Sequence, residues 1–337
     1  MKLRRFLTLL LTVLLCLSVM ACGSEAPRSP YAMQWQLDAP QLAEKNGELH
    51  FYFMSGEGLE ASPGSQRGQT EKWGDCCLVV FPDGKTMLID SAFATYTDVL
   101  MENLERLGIE KLDYVMLSHH HEDHYEGFLA DGGVMETIPV EQGYHNGYSA
   151  SMPEQFAPYG VALQTMLTGD TLEIGGVKLT CLSPDQKQLD KGTSSDPTTN
   201  GNNASLVVRM DFGEFSALFT GDIYSGEEKR LVKEYEDTGL LDVDLLKLPH
   251  HGDTTSSTEA FADATSPKLG VATGAVPINT TIYLRYIRYA DTVLHDLQDG
   301  YVHVWTDGTE LHWETSRSRE GTVYDKYDKA AAQNKNG

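Results

Sequence analysis

Six consecutive residues, His119-His120-His121-Glu122-Asp123-His124, bring four imidazoles and two carboxylates into one short stretch of a 337-residue chain. Imidazole nitrogens and carboxylate oxygens are the donors that hold Zn2+ and related transition metals. The H-x-H-x-D-H spacing offers four of them, at positions 119, 121, 123 and 124. The chemistry they predict is metal-assisted hydrolysis, in which the ion polarises the substrate and activates a water. On an open surface a His-rich tract would instead be an adventitious chelator. Against that, this tract directly follows an apolar run, 112–117, of the kind that forms a buried strand. The sequence contains no G-x-S-x-G nucleophile elbow and no G-x-x-x-x-G-K phosphate loop.

The elements that must position this tract alternate along the chain. Strands are expected at 48–53, 76–81 and 86–90, with Pro82-Asp83-Gly84 turning between the last two. Leu100, Met101, Leu104 and Leu107 fall at helical spacing within 96–107, and the strand 112–117 then delivers the chain into the histidines. Further strands are expected at 171–174, 177–182, 205–211 and 216–220, interrupted by the polar stretch 185–203, which reads as a surface loop. A charged surface helix is expected over 225–238, and a strand over 242–248 runs into Pro249-His250-His251. Residues 301–313 carry a hairpin signal centred on Asp307-Gly308, and the polar tail beyond Ser316 is expected to fray. No internal repeat is found.

Three more motifs flank the tract in a fixed order. Upstream stands Phe81-Pro82-Asp83-Gly84-Lys85 leading to Leu88-Ile89-Asp90; downstream stand Leu218-Phe219-Thr220-Gly221-Asp222 and Leu246-Lys247-Leu248-Pro249-His250-His251-Gly252. In this combination the sequence resembles the metallo-β-lactamase superfamily. Within it, the order is similar to the competence-type branch, which includes the extracellular domain of bacterial DNA-uptake channels and stand-alone secreted hydrolases. The resemblance covers residues 46–316 and implies an α+β fold, a four-layer αββα sandwich of two mixed sheets packed face to face. Metals would sit at one edge, held by loops from strand ends. Carried over by position, His119 and His121 would hold a first metal, Asp123 and His124 a second, and Asp222 would bridge both. A carboxylate there offsets the repulsion of two dications held about 3.5–4 Å apart. The other reading of Asp222 is a cap on the following helix. One of His250 and His251 would complete the ligand set, with His251 favoured, and the other would serve as general acid. Asp123, His250 and His251 are therefore the catalytic candidates, and the implied cofactor is one or two Zn2+, with Mn2+ as the alternative.

The chain also departs from the family pattern. Many members place another His on the first metal between the tract and the bridging Asp, where this chain has only His145. The competence-type branch tends to show Asn-x-x-Ser there, matched by Asn202-Asn203-Ala204-Ser205. Asn202 and His145 are thus candidates for contact with the first metal or the substrate, and a more open coordination is expected. Asp253 stands where the branch usually has Ser, and Ser91-Ala92 where it usually has a small residue and Gly. His50, His295, His303 and His312 read as packed or exposed. Trp35, Trp73, Tyr144 and Tyr148 read as core or edge packing that could also wall a pocket.

The chain begins with a basic segment and an apolar run over 6–19, the pattern of an export signal. Val19-Met20-Ala21-Cys22 resembles a lipobox, making 1–21 a lipoprotein signal peptide and Cys22 the lipidated residue; an ordinary cleaved signal or a short anchor is the alternative. Residues 22–45 then read as a polar tether, 46–316 as the hydrolase domain and 317–337 as a polar tail. Of the remaining cysteines, Cys76 and Cys77 are adjacent on a predicted strand and face opposite ways, so no disulfide framework is implied, although a bridge from Cys181 stays open. The net charge is −23, and it becomes more negative once Lys2, Arg4 and Arg5 leave with the signal. Such a surface repels phosphate backbones and weighs against strong DNA binding. The expected protein is an exported, lipid-anchored phosphodiesterase that faces outward, touches the membrane only through its N-terminal lipid, and acts on small or cell-envelope phosphoesters. The alternatives are an extracellular nuclease related to DNA uptake, a lactamase or lactonase, and a non-enzymatic binding lipoprotein.

Overall fold

Successive side chains of a strand point to opposite faces, so a strand buried on both sides must be apolar throughout. In the first strands the apolar side chains divide between two cores in this way. In β1 (Leu49–Phe53), Leu49, Phe51 and Phe53 enter one core, while Tyr52 enters another. In β2 (Cys77–Val80) and β3 (Thr86–Ile89), Cys77, Val79, Met87 and Ile89 join the first core, and Leu78, Val80 and Leu88 the second. A fully buried Leu or Phe side chain contributes about 1.5–3 kcal/mol. The computed structural model describes residues 47–55, 73–192, 194–275 and 278–335. The expected signal peptide, Cys22 and the tether lie outside the described residues.

The remaining strands are β4 (Leu112–Leu117), β5 (Val140–His145), β6 (Leu163–Thr165), β7 (Thr171–Ile174), β8 (Val177–Ser183), β9 (Val207–Phe212) and β10 (Phe215–Phe219). They are followed by β11 (Leu245–Lys247), β12 (Leu269–Ala272), β13 (Thr292–His295), β14 (Val302–Thr306) and β15 (Leu311–Thr315). Two mixed sheets result, ordered β15-β14-β1-β2-β3-β4-β5-β6 and β13-β12-β11-β10-β9-β8-β7. Their inner faces share one apolar core, in which Phe51 and Phe53 of the first sheet meet Phe219 of the second at ring separations of 5.8 and 5.9 Å. The helix Thr97–Arg106 buries Leu100 and Leu104 against the outer face of the first sheet. On the second sheet, helices Ser225–Glu234, Glu259–Thr265 and Thr280–Tyr286 bury Leu231, Phe261 and Ile282. This is the expected α+β four-layer αββα sandwich.

The structure corrects two local expectations. The stretch 185–203 contains helices Gln186–Lys191 and Pro197–Asn203, each started by an aspartate: Asp185 accepts from the Gln188 amide and Asp196 from that of Thr199. Asn, Thr and Gly weaken helix propensity there, and the caps outweigh it. The tail does not simply fray. It forms the helix Val323–Lys335, which buries Tyr324, while Arg319 bonds Asp299 at 2.5 Å and Asp328 at 2.8 Å. Cys76, Cys77 and Cys181 are free, buried thiols. Trp73 belongs to the core and donates to Asp296 at 3.0 Å. Among the described residues, no helix is long and apolar enough to cross a membrane.

Candidate metal centre

Parallel pairing collects strand ends. β3, β4 and β5 run parallel in one sheet and β10 to β13 in the other, and the segments leaving β3, β4, β10 and β11 meet at one edge of the sandwich. After β4 the chain passes Ser118 and His119, and His121 starts the helix Glu122–Leu129, whose first turn carries Asp123 and His124. Carboxylates in that turn also suit the positive end of the helix dipole. β10 ends into Gly221-Asp222, and β11 into a tight turn over Pro249–Gly252 that holds His250 and His251. His250 and His251 have φ of 44° and 56°, and Asp90 and Ala92 have 56° and 62°. Side chains rarely adopt this left-handed region, at a cost on the order of 1–3 kcal/mol each, and such strain collects at functional sites. The two histidines therefore diverge because of a left-handed turn, not through the alternation of an extended strand.

Asp123, His124, Asp222 and His251 each bring a ligand atom within 4.8 Å of all the others. Asp222 Oδ2 lies 3.1 Å from both His124 Nε2 and His251 Nε2, and His251 Nε2 lies 3.2 Å from Asp123 Oδ2. Two donors held about 2.0–2.1 Å from one tetrahedral ion are separated by about 3.3 Å, so the spacing fits a metal. His119 packs beside this group, its ring 4.1 Å from that of His124 and 4.6 Å from that of His121. Its Nδ1 is 3.1 Å from Ser118 Oγ, which leaves Nε2 buried with no hydrogen-bond partner. A buried polar atom left unpaired is costly, and a metal ion would satisfy this one.

Carboxylates stand behind two of the imidazoles. His124 Nδ1 lies 2.7 Å from Asp90 Oδ2, and His251 Nδ1 lies 3.0 Å from Asp75 Oδ1. Such carboxylate partners fix which nitrogen faces the site. Burial works against charge on His124, yet Asp222, Asp90 and Asp123 raise its pKa well above the usual histidine value. His251 rises in the same way, against its burial, through Asp222 and Asp75. Burial opposes ionisation of Asp222, but His251, His124 and Lys247 hold its carboxyl well below the usual range. Burial, reinforced by His124, lowers His119 instead. A metal ligand must be deprotonated, so an ion entering here displaces protons from His124 and His251 and binds more strongly as pH rises.

The other expected residues divide. Asp222 does not cap the next helix, whose N-cap is Tyr224. His250 faces the site from the rim: its Nε2 lies 3.9 Å from Asp222 Oδ2, its Nδ1 2.5 Å from Thr255 Oγ1, and its ring 4.8 Å from that of Tyr224. Asn202 is buried at the end of helix Pro197–Asn203, and its side-chain oxygen has no hydrogen-bond partner. That helix approaches so closely that a Cβ on Gly201 would lie 2.9 Å from His121 Nε2. His145 is not brought into the cluster, and its Nε2 lies 3.2 Å from Thr165 Oγ1. Asp253 accepts from the Thr255 amide at 3.1 Å and so shapes the turn beside His250. Ser91 accepts from the Phe128 amide at 2.8 Å and braces the helix that carries His124. Tyr148 packs 5.2 Å from His120, while His50 and His303 stack on each other outside the site. Sequence reasoning missed Asp75; its Gly74-Asp75 pair repeats the Gly221-Asp222 signal but precedes a strand instead of ending one.

A family profile for the metallo-beta-lactamase superfamily matches residues 74–272. ComE operon protein 3 of Bacillus subtilis (strain 168) is 28% identical over 242 residues, which cover 70% of this chain and 29% of that protein. Competence protein ComA of Neisseria gonorrhoeae is 31% identical over 173 residues, covering 51% of this chain and 21% of that one. The chain thus spans less than a third of the length of these curated relatives. Among solved structures, the metallo-beta-lactamase fold protein YhfI from Bacillus subtilis is 14% identical with a TM-score of 0.44, covering 74% of this chain and 95% of that one.

Proposed function

Because the chain belongs to the metallo-beta-lactamase superfamily and is a metal-dependent hydrolase of that fold, we propose that its reaction is phosphodiester cleavage on small or cell-envelope phosphoesters. The observation that carries this reading is the shared carboxylate: Asp222 Oδ2 stands 3.1 Å from histidines of two different loops, His124 and His251, with His119 packed alongside. Such a donor set suits one or two ions, Zn2+ by its imidazole content with Mn2+ as the alternative. When bound, they supply charge stabilisation at a phosphoryl oxygen and a water that deprotonates near neutral pH.

The chain's own residues do the rest. Asp90 and Ser118 hold His124 and His119 from behind, so the ring nitrogens facing the site stay oriented, and the Asp75 carboxylate stands 3.0 Å behind His251. Thr255 engages His250 Nδ1, which leaves Nε2 turned to the site as the group able to give a proton to the leaving oxygen. The form that gives the proton is the imidazolium: burial lowers the pKa of His250 and so disfavours that form, while Asp222 opposes the shift and favours it. Tyr224 stands beside this residue, its ring 4.8 Å from that of His250.

Turnover of bis(p-nitrophenyl) phosphate without hydrolysis of nitrocefin is expected, and the reverse pattern would replace this reading with a lactamase. The competence names of the relatives favour a nuclease as the second reading. The charge of −23 opposes it, and DNA degradation faster than that of small diesters would establish it. Export and acylation at Cys22 belong to the same proposal. Cys22→Ala is expected to move the protein from the membrane fraction to the soluble one with catalysis unchanged. Wild-type protein that is soluble and unacylated by mass spectrometry would contradict the anchor.

A further inference from the structure

A buried ion pair stands behind the ligands, on the core side of the site. Lys247, the last residue of β11, is 4% exposed and places its ammonium against Asp75. The same Nζ donates to the Gly221 carbonyl at 3.0 Å and lies 3.3 Å from Asp222 Oδ1. Asp75, 5% exposed, reaches two other ligand segments: its Oδ1 is 3.0 Å from His251 Nδ1, and its amide donates to the Asp123 carbonyl at 3.0 Å. The Thr273 hydroxyl also donates to Asp75 Oδ1. Contact here is close enough that a Cβ on Gly74 would lie 2.1 Å from the Asp123 oxygen. Burying an ammonium costs several kcal/mol before its partners repay it, and an apolar side chain of similar volume would fill the space without that cost. The two oxygens of Asp222 consequently have different neighbours, Oδ1 facing Lys247 and Oδ2 facing His124 and His251.

We propose that Lys247 and Asp75 are positioning residues for the metal centre. Lys247 occupies Asp222 Oδ1 so that the carboxylate presents only Oδ2 to metal, and Asp75, paired with Lys247 and 3.0 Å from His251 Nδ1, places a carboxylate behind that ring. The proposal rests on reading the cluster as a metal site and adds how two of its ligands are set.

The test uses the full chain as wild type, Lys247→Met, Lys247→Arg, and the double variant Asp75→Asn/Lys247→Met, which removes both charges and leaves neither buried alone. Zn2+ affinity is measured by chelator competition, the absorption bands of the Co2+-loaded protein report coordination, and thermal unfolding of the metal-free proteins reports folding. Lys247→Met and the double variant are expected to bind Zn2+ about 10–100-fold more weakly, the usual effect of losing a partner behind a ligand. Their Co2+ bands should change as Asp222 Oδ1 becomes free to bind, and Lys247→Arg should restore both readouts in part. If Lys247→Met fails to fold, the double variant carries the test. Wild-type Zn2+ affinity with an unchanged Co2+ spectrum in the folded variants overturns the proposal. Wild-type protein that binds neither ion overturns the metal-site reading itself, and the two failures are distinguishable.

Discussion

Replacing Asp222 by alanine is expected to strip bound metal and to lower kcat/KM by at least about 10³-fold, the loss of several kcal/mol of charge stabilisation. The geometry makes this residue the hinge of the site. Its Oδ2 is the atom that the loops after β4 and β11 share, at 3.1 Å from His124 Nε2 and 3.1 Å from His251 Nε2. Among the described residues Asp123 also reaches both rings, but less closely, at 3.2 Å from His251 Nε2 and 3.8 Å from His124 Nε2, while Asp90 and Asp75 lie behind the imidazoles on their Nδ1 side. The fold should survive, since both histidines keep those rear carboxylates. Elemental analysis and steady-state kinetics on the folded variant check this. Metal content and kcat/KM both within a factor of about two of wild type, far short of the expected 10³-fold loss, would remove Asp222 from the site.

The second large effect separates two adjacent histidines. His251→Ala is expected to lose metal, because His251 Nε2 is within 3.2 Å of both Asp123 and Asp222. His250→Ala is expected to keep metal nearly intact and to lower kcat by about 10²-fold or more, the size of a general-acid contribution. That second loss should shrink for a p-nitrophenolate leaving group, which departs without needing a proton. The structural basis is the turn Pro249–Gly252, in which left-handed φ values at both residues send one ring into the ligand cluster and the other to the rim beside Thr255 and Tyr224. Equal metal loss in the two variants, or full activity in either, would contradict the division.

The donors that were legible in the sequence are those whose meaning is local. His119, His121, Asp123 and His124 announce themselves by spacing, and a strand that turns into a helix is enough to place them together. Asp222 and His251 were legible through family resemblance, as apolar strands ending in Gly-Asp and in Pro-His-His. Asp75 was not, because nothing near it in sequence is a ligand. It reaches the site through Lys247 and His251, some 170 residues away in the chain, a relation that only the facing of two sheets creates. His145 was drawn in as the one histidine in the interval where many family members place a ligand, and β5 carries it to Thr165 instead. At fold level, alternation located the strongly apolar strands, and the span Leu112–Leu117 is as expected. The strands β5, β6, β12 and β13 escaped: Val-Glu-Gln-Gly-Tyr-His in β5 is largely polar, β6 has three residues, and Leu-Gly-Val-Ala in β12 has no period of its own. The helices within 185–203 were signalled only by their aspartate caps, in a stretch whose composition otherwise reads as loop.

The most direct test of the central claim is the metal content of the purified protein after expression with added zinc or manganese. A centre of this donor set should retain about one to two equivalents of transition metal per chain through gel filtration, since its ligands are preassembled and deprotonate on binding. Less than about a tenth of an equivalent in folded wild-type protein would contradict a metal centre built from His119, His121, Asp123, His124, Asp222 and His251.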